Sequence, residues 1–236
     1  MFAPLRRMPS TDKNVPLSGA DYEKILRKGY TGEEVIAGLS EISALLRTRM
    51  EVFLVGEAPI VLRGWKNTCA EVEIVFLSDK DVQAFVEALR KADYEETLYM
   101  RYKKYLAIDL HVKSFSEYII TEEMLKRAFD TDLGNLRLKI ASPEDVILLK
   151  SSSTRDSDYV DTRLLLNKIR PDWSVVVAEL DNQVNRHGTS DYAAIMLLAT
   201  VNDLRRRKYQ IPDSAPRDII KAIQKDIRPP QAAAQA

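Results

Sequence analysis

The sequence contains very few of the residues that define disulfide-rich and zinc-binding proteins. Among its 236 residues there is one cysteine, Cys69, and there are two histidines, His111 and His187. A lone cysteine excludes a disulfide framework within the chain and an all-cysteine metal site. The two histidines are too few for a zinc centre unless carboxylates supply the remaining ligands.

An excess of charge and a long apolar run are also lacking. The 35 basic residues equal the 35 acidic residues, so the net charge does not indicate a nucleic-acid or membrane partner. A local basic site is still compatible with this balanced composition. The longest apolar stretch, residues 192–201, has roughly half the length that a membrane span needs. Residues 1–16 lack the apolar centre of a signal peptide. We therefore expect a cytoplasmic protein without a membrane partner.

The composition is that of a globular protein, with 45% hydrophobic and 30% charged residues. Apolar periodicity predicts a helix over about 31–49, where Thr31 and Glu34 fit a capping box. The remaining predicted elements up to residue 140 are strands at 51–55 and 71–77, a helix at 59–63, a helix beginning at 78 or 79, β segments at 97–102 and 104–112, two short helices, and a strand at 136–140.

From Ser142 onward the pattern is helical, which predicts an α+β protein in two parts. We expect an N-terminal extension over 1–30 and a mixed sheet flanked by helices over 31–141. A helical domain is expected over 142–227, followed by a flexible tail over 228–236, where two prolines precede residues without a large apolar side chain.

Three carboxylates occupy comparable positions on two predicted strands. Glu71 and Glu73 alternate with Val72, so both side chains point to the same face of the strand, and Asp109 lies on a later strand with the same alternation. If these strands are neighbours, the carboxylates converge and form a site suited to Mg²⁺. The simpler alternative is that they face water on the solvated side of the sheet.

The order of these motifs resembles the nucleotidyltransferase-fold superfamily over residues 50–168. The similarity is greatest to small prokaryotic proteins related to AbiEii-type toxins of toxin–antitoxin systems and to uncharacterised nucleotidyltransferase-like proteins. In chain order, the motifs are Gly56, Leu62-Arg63-Gly64, Thr68, Glu71-Val72-Glu73, Ile108-Asp109-Leu110, Ser142-Pro143-Glu144-Asp145, Lys150 and Arg155-x-x-Asp158-x-x-Asp161.

The resemblance implies a Mg²⁺-dependent enzyme that moves a nucleotidyl group from an NTP to a hydroxyl on RNA, protein or a small molecule. It implies that Glu71, Glu73 and Asp109 are catalytic and hold the metal. It also implies an antitoxin-like partner. The residues expected to bind the nucleotide are Gly56, Arg63, Thr68, Lys150 and Arg155.

Two departures from the superfamily pattern leave a second hypothesis open. Glu57 follows Gly56 where the superfamily has a second small residue, and Glu71-Val72-Glu73 replaces its D-x-D motif. The protein is therefore either an active transferase with glutamate ligands or an inactive relative that serves as a nucleotide- or partner-binding regulatory module. Lys150 is likewise either a phosphate-binding residue or a solvated helix end. The Arg155-x-x-Asp158-x-x-Asp161 motif provides either substrate contacts or a structural ion-pair network.

Overall fold

The computed structural model describes residues 29–115, 117–153, 155–187 and 191–226. The helices within these ranges are α1 (Gly32–Leu45), α2 (Ala58–Leu62), α3 (Asp79–Lys91), α4 (Glu122–Arg127), α5 (Pro143–Ser151), α6 (Asp156–Lys168), α7 (Trp173–His187), α8 (Asp191–Arg206) and α9 (Ser214–Asp226). The strands are β1 (Met50–Val55), β2 (Val72–Phe76), β3 (Glu95–Leu98), β4 (Arg101–Lys103), β5 (Ala107–Val112), β6 (Ser114–Phe115), β7 (Tyr118–Ile119), β8 (Phe129–Asp132) and β9 (Leu136–Ile140).

The first helix begins where its capping residues predict. The Thr31 hydroxyl accepts a hydrogen bond from the Glu34 N–H at 3.2 Å, and the Glu34 carboxylate accepts one from the Thr31 N–H at 2.7 Å. This reciprocal pair satisfies two donors that the helix itself leaves unpaired. Val35, Leu39 and Ile42 then recur at helical spacing and are fully buried. The predicted capping box and apolar stripe are both confirmed.

Seven strands form a mixed sheet in the order β3-β4-β5-β2-β1-β9-β8. Strands β2 and β5 are parallel and place Glu73 opposite Asp109. Strand β1 runs antiparallel to β2, so the end of β1 meets the beginning of β2. Strand β4 runs antiparallel to β5 and places Arg101 opposite Asp109. The expectation that the strands carrying Glu73 and Asp109 are neighbours is confirmed.

The sheet separates two hydrophobic cores. Val72, Ile74 and Phe76 lie on the face covered by α1 and α3. Val75, on the opposite face of β2, belongs to a core that includes side chains of α5 to α9. Because Glu73 has the same parity as Val75, the carboxylates lie on the face that packs against the C-terminal helices.

The predicted secondary structure is wrong in two places. Residues 97–102 do not form one strand, because the chain turns at Tyr99 and Met100 between β3 and β4, with Met100 at φ +62°. Two short helices are predicted between residue 112 and residue 136, but the described residues there form one helix, α4. The other elements of that segment are the strands β6, β7 and β8. The first region has no glycine to signal its turn, and in the second the glycine, Gly134, lies only at the turn between β8 and β9.

Helix α5 begins at Pro143, next to the residue from which the sequence pattern is helical. The Ser142 hydroxyl caps this helix by accepting from the Asp145 N–H at 3.1 Å. The described residues after Ser142 form helices, and their core is continuous with one face of the sheet. The expected tail over 228–236 and the expected extension, except its residues 29 and 30, lie outside the described residues.

No helix within the described ranges combines the length and the apolar character needed to cross a membrane.

Candidate functional site

Two of the three predicted catalytic carboxylates are buried beside each other. Glu73 and Asp109 are 6% and 5% exposed and face each other across the parallel β2–β5 ladder. Glu71 is half-buried just before β2. The interpretation that these groups alternate with apolar residues merely to face water is therefore wrong for Glu73 and Asp109. We refer to Glu71, Glu73 and Asp109 as the acidic cluster.

The Glu73 carboxylate lies directly against Gly56, at the end of β1. Gly56 has a φ of +66°, and a Cβ atom added to it would lie 1.4 Å from Glu73 Oε2. Glycine is therefore required at this position both by the backbone conformation and by the close approach of the carboxylate. Among the described residues, the Glu73 side chain takes part in no hydrogen bond or ion pair.

Burial disfavours ionisation of the Glu73 and Glu71 carboxyl groups. Burial raises the pKa of Glu73 to about 7, although the positive charge of Lys150 opposes the shift. Burial also raises the pKa of Glu71, against the field of Arg101. Carboxyl groups with such raised pKa values gain from a nearby cation, which stabilises their ionised form.

Arg101 neutralises one member of the acidic cluster. Its Nη2 lies 3.0 Å from Asp109 Oδ2, and its side chain is 47% exposed, whereas that of Asp109 is 7% exposed. His111 Nε2 lies 3.7 Å from the same Asp109 oxygen, and burial lowers the pKa of His111, which favours the neutral ring. Within the described part of the chain, no three carboxylate, histidine or cysteine side chains are arranged to ligate one metal ion.

A second set of charges lies next to the acidic cluster and is paired throughout. Lys150 Nζ lies 2.5 Å from Asp158 Oδ1 and 3.0 Å from Asp161 Oδ2. Lys66 Nζ lies 2.8 Å from Asp161 Oδ1. Arg155 Nε lies 2.8 Å from Asp158 Oδ2. With Glu57, these residues form what we call the compensated cluster, and the ion-pair interpretation of the Arg155-x-x-Asp158-x-x-Asp161 motif is confirmed.

Glu57 turns away from Gly56 and joins the compensated cluster. One oxygen of its carboxylate lies 3.1 Å from Lys66 Nζ, and the other accepts a hydrogen bond from the Ala70 N–H at 3.0 Å. Glu57 is one of the two departures from the superfamily pattern, because it stands where a small residue is expected. Lys66 pairs with its charge, so the Glu57 carboxylate is compensated rather than free.

A cavity of about 300 Å³ lies between the end of β1 and the C-terminal helices. Lys150 and Arg155 supply two cations to its wall, and Gly56 connects it to the Glu73 carboxylate. Its lining residues are Gly56, Phe115, Leu149, Lys150, Ser152, Ser153, Arg155, Asp158 and Tyr192. The structure thus brings three of the five predicted nucleotide-binding residues together.

The structure places Arg63 and Thr68 outside this lining. Arg63 Nη2 donates to the Ala141 carbonyl oxygen at 3.0 Å, and its guanidinium group stacks over Trp65 at 5.4 Å from the ring centroid. Thr68 lies in the loop between α2 and β2, just before Cys69, which pairs with Tyr30. Arg63 therefore joins the sheet portion to the segment that leads into α5.

Sequence reasoning missed two cations of the site. Lys66 lies in a loop, where a lysine is ordinarily solvated, yet it is 7% exposed. The sequence pattern does not single out Arg101 as a partner of Asp109, because that pairing depends on the register of β4 on β5. The expectation of a solvated helix end is also wrong for Lys150, which is 4% exposed.

The described residues combine a mixed sheet, buried carboxylates on adjacent strands, and a cation-lined cavity beside a glycine turn. Residues 88–196 match the model of a family described as "Nucleotidyl transferase of unknown function (DUF2204)". The matched segment contains Asp109, Lys150 and Arg155, and it begins after the Gly56 turn and β2. The match supports the resemblance to the nucleotidyltransferase-like superfamily. A search of curated proteins and a search of solved structures each found no match.

Proposed function

We propose that the protein is a Mg²⁺-dependent nucleotidyltransferase that moves a nucleotidyl group from an NTP to a hydroxyl acceptor. One observation carries the proposal. The buried carboxylates Glu73 and Asp109 face each other on adjacent parallel strands, beside a cavity lined by Lys150 and Arg155. Buried carboxylates without full compensation are costly to stability and are typical of functional sites.

The acidic cluster suits Mg²⁺ in its chemistry. Carboxylate oxygens are the protein ligands that Mg²⁺ prefers, and three carboxylates with one ion-paired arginine leave negative charge for a cation to neutralise. The ligands we propose are Glu71, Glu73 and Asp109, and metal binding would require their side chains to rearrange, because no three such side chains among the described residues are arranged to ligate one ion. When bound, the metal would supply charge neutralisation at the transferring phosphoryl group.

The cavity residues would bind and orient the nucleotide. Arg155 is the accessible cation, with a side chain that is 57% exposed, and it would contact the triphosphate directly. Lys150 is held by Asp158 and Asp161, which fix the position of its ammonium group in the cavity wall. Tyr192, half-exposed in the cavity wall, offers a ring on which a base can stack.

A second candidate is a catalytically inactive nucleotide- or partner-binding module. It is favoured by the ion pair that already engages Asp109, and by the pairing of Lys150 and Arg155 within the compensated cluster. An RNA or protein acceptor and an antitoxin-like partner remain predictions under either candidate.

Label transfer tests the proposal. The full chain is incubated with Mg²⁺ and each common NTP labelled on its α-phosphate, together with RNA or protein acceptors. Transfer should require Mg²⁺ and disappear in Glu73→Gln and Asp109→Asn. The matched control Glu51→Gln, which removes a carboxylate at the far end of β1, should keep it.

Thermal melting separates the two candidates. Binding of Mg²⁺ with an NTP should raise the melting temperature by mass action. A rise without labelled product from any acceptor supports the inactive module. If the melting temperature does not rise and no labelled product forms, the transferase and the nucleotide-binding form of the module are both contradicted.

A further inference from the structure

We propose that α8 pairs in antiparallel orientation with α8 of a second copy of this chain, and that the pairing brings Arg206 of the partner subunit to the rim of the cavity. The pairing of the helices depends neither on a metal ion nor on the proposed activity. The contribution of Arg206 of the partner subunit to the cavity rests on the proposed nucleotide site.

One face of α8 is exposed along the length of the helix. Its residues recur at alternating intervals of three and four, which places them in one line and is the spacing of residues that pack between two helices. Tyr192 and Ile195 are 46% and 53% exposed, although both side chains are large and apolar. We call this line the α8 stripe, and its members are Tyr192, Ile195, Ala199, Asn202 and Arg206.

The shape of the α8 stripe suits a second helix. The opposite side of α8 is already buried in the core, through Ala193, Ala194, Leu197, Val201 and Leu204. A depression of about 690 Å³ lies on the exposed side and is lined by Ala199, Asn202, Arg205 and Arg206. The small side chain of Ala199, at the middle of the stripe, allows another helix to approach closely.

The charges of α8 are arranged for antiparallel pairing with a copy of itself. The helix begins at Asp191 and ends at Arg205 and Arg206. Since residues 192 and 206 are equally far from Ala199, an antiparallel pair places Asp191 and Tyr192 beside Arg206 of the partner subunit. Arginine is attracted both by a carboxylate and by a tyrosine ring, and two-fold symmetry makes this contact twice.

Arg206 is available for this contact. Its side chain is 77% exposed, and its Nη2 lies 3.5 Å from Asp203 Oδ1, which is a weak surface ion pair. A parallel pair of the same helices would instead place like charges side by side, which is unfavourable.

The same charge distribution disfavours a nucleic acid on the α8 stripe. Residues 192–204 contain no lysine or arginine, and they span about 20 Å of helix. A phosphate backbone along the stripe would pass Tyr192, Ile195 and Ala199 without meeting a cation of α8, whereas nucleic-acid affinity depends on such contacts. A second copy of the chain is therefore the occupant that the stripe favours.

The pairing reaches the cavity through Tyr192. This residue lines the cavity together with Lys150 and Arg155. Both cations are already paired with carboxylates of the compensated cluster. Beside Tyr192, Arg206 of the partner subunit would add a further cation at the cavity rim, where a phosphate group of the nucleotide can use it.

Disulfide cross-linking of the full chain tests the pairing. Cys69 is the only cysteine of the sequence and is 1% exposed, so a cysteine introduced on the surface provides the accessible thiol. Ala199→Cys should form a disulfide-linked dimer when an oxidant is added. The control Gln224→Cys, at an exposed position of α9, should stay monomeric. Equal cross-linking of the two variants would overturn the pairing.

A third cysteine variant tests the direction of the pairing. Tyr192→Cys should not cross-link with itself, because its counterpart in an antiparallel pair is residue 206. Cross-linking of Tyr192→Cys as complete as that of Ala199→Cys would contradict the antiparallel arrangement.

Sedimentation velocity measures the strength of the pairing without cross-links. A contact along one helix is small, so we expect wild type to dimerise with a Kd of about 10–100 µM. Ile195→Glu should weaken the dimer at least about tenfold, because it places a charge in the contact. The matched control Ile220→Glu, at a 39% exposed position of α9, should dimerise as wild type does. Wild type that stays monomeric at about 300 µM, or equal weakening by both variants, would overturn the pairing.

Nucleotide binding tests the contribution of Arg206 of the partner subunit. Equilibrium dialysis with labelled NTP, with and without Mg²⁺, compares Arg206→Gln in the cross-linked Ala199→Cys dimer and in the dilute reduced monomer. We expect about three- to tenfold weaker binding in the dimer and no change in the monomer. An equal loss in both forms, or no loss in either, would refute this contribution.

Failure of the nucleotide site is distinguishable from failure of the pairing. If NTP binds to neither form under either condition, the proposed nucleotide site fails, and the contribution of Arg206 of the partner subunit fails with it. Cross-linking and sedimentation still decide whether the helices pair.

Discussion

Two neighbouring groups of buried charge differ in their balance. The compensated cluster contains three carboxylates, Glu57, Asp158 and Asp161, and three cations, Lys66, Lys150 and Arg155, each with an ion-pair partner within the cluster. The acidic cluster contains three carboxylates and has one ion-paired cation, Arg101.

The difference separates a structural role from a functional one. In the compensated cluster, mutual attraction offsets the cost of burying each charge, and the ion pairs join the loop before β2 to α5 and α6. In the acidic cluster the cost is only partly offset, and burial raises the pKa of Glu73 to about 7. An external cation would reduce this imbalance, which is why our proposal places the metal site at the acidic cluster.

Breaking the compensated cluster should have the largest effect on stability. Asp161 is fully buried between Lys66 and Lys150, so Asp161→Asn leaves two buried lysines without their shared partner. We expect a loss of about 3–5 kcal/mol in the free energy of unfolding, measured by urea denaturation. The control Asp213→Asn removes an exposed partner of Arg205 and should cost at most about 1 kcal/mol. Similar losses in both variants would contradict the structural role of the cluster.

Adding one methyl group at Gly56 should destabilise the acidic cluster by steric conflict. Gly56→Ala places Cβ on the Glu73 carboxylate and also puts alanine at positive φ, so we expect a loss of about 2–4 kcal/mol. Gly64→Ala is the control, because Gly64 has a φ of +70° and nothing within 4 Å of an added Cβ. Chemical denaturation should show the greater loss for Gly56→Ala. Equal losses would mean that Glu73 does not press against Gly56.

Removing the charge of Glu73 should stabilise the metal-free protein at alkaline pH. Because folding raises the pKa of this carboxyl group from 4.5 to about 7, the folded state holds the proton more tightly, and stability falls as pH rises through that window. Glu73→Gln should therefore gain up to about 3 kcal/mol over wild type at high pH, and the gain should vanish toward pH 4. The pH dependence of unfolding in EDTA measures this difference. A constant offset between the two proteins at all pH values would refute it.

The smallest effect on stability is expected at the accessible cation of the compensated cluster. Arg155 is more than half exposed, so Arg155→Gln should cost less than about 1 kcal/mol while weakening NTP binding about tenfold. Lys221→Gln is the control, since Lys221 forms an exposed ion pair of the same i,i+3 spacing with Asp218. Equilibrium dialysis with labelled NTP compares the two variants. Unchanged affinity in Arg155→Gln would remove this residue from the nucleotide site.

Local signals predict the parts of the fold whose interactions are close in sequence. The Thr31–Glu34 capping box, the apolar stripe of α1 and the Ser142 cap of α5 each involve residues three or four positions apart, and all are confirmed. The β3–β4 turn was missed because Tyr99 and Met100 carry no turn signal, although Met100 adopts a positive φ.

The candidate site was less predictable because it depends on contacts between distant segments. The pairing of Asp109 with Glu73 was foreseen from a shared alternation, but its pairing with Arg101 depends on strand register. The role of Lys66 had no sequence signal, because its partner Asp161 lies 95 residues away. Ion pairs between residues so far apart in sequence can be recognised only from the folded structure.

The position of a bound metal ion tests the central claim most directly. Crystals of the full chain grown with Mn²⁺, measured at a wavelength where manganese scatters anomalously, would locate the ion without reference to the protein model. The account predicts an anomalous peak about 2.1 Å from carboxylate oxygens of Glu73 and Asp109. A peak bound elsewhere, or no peak at saturating Mn²⁺, would contradict it.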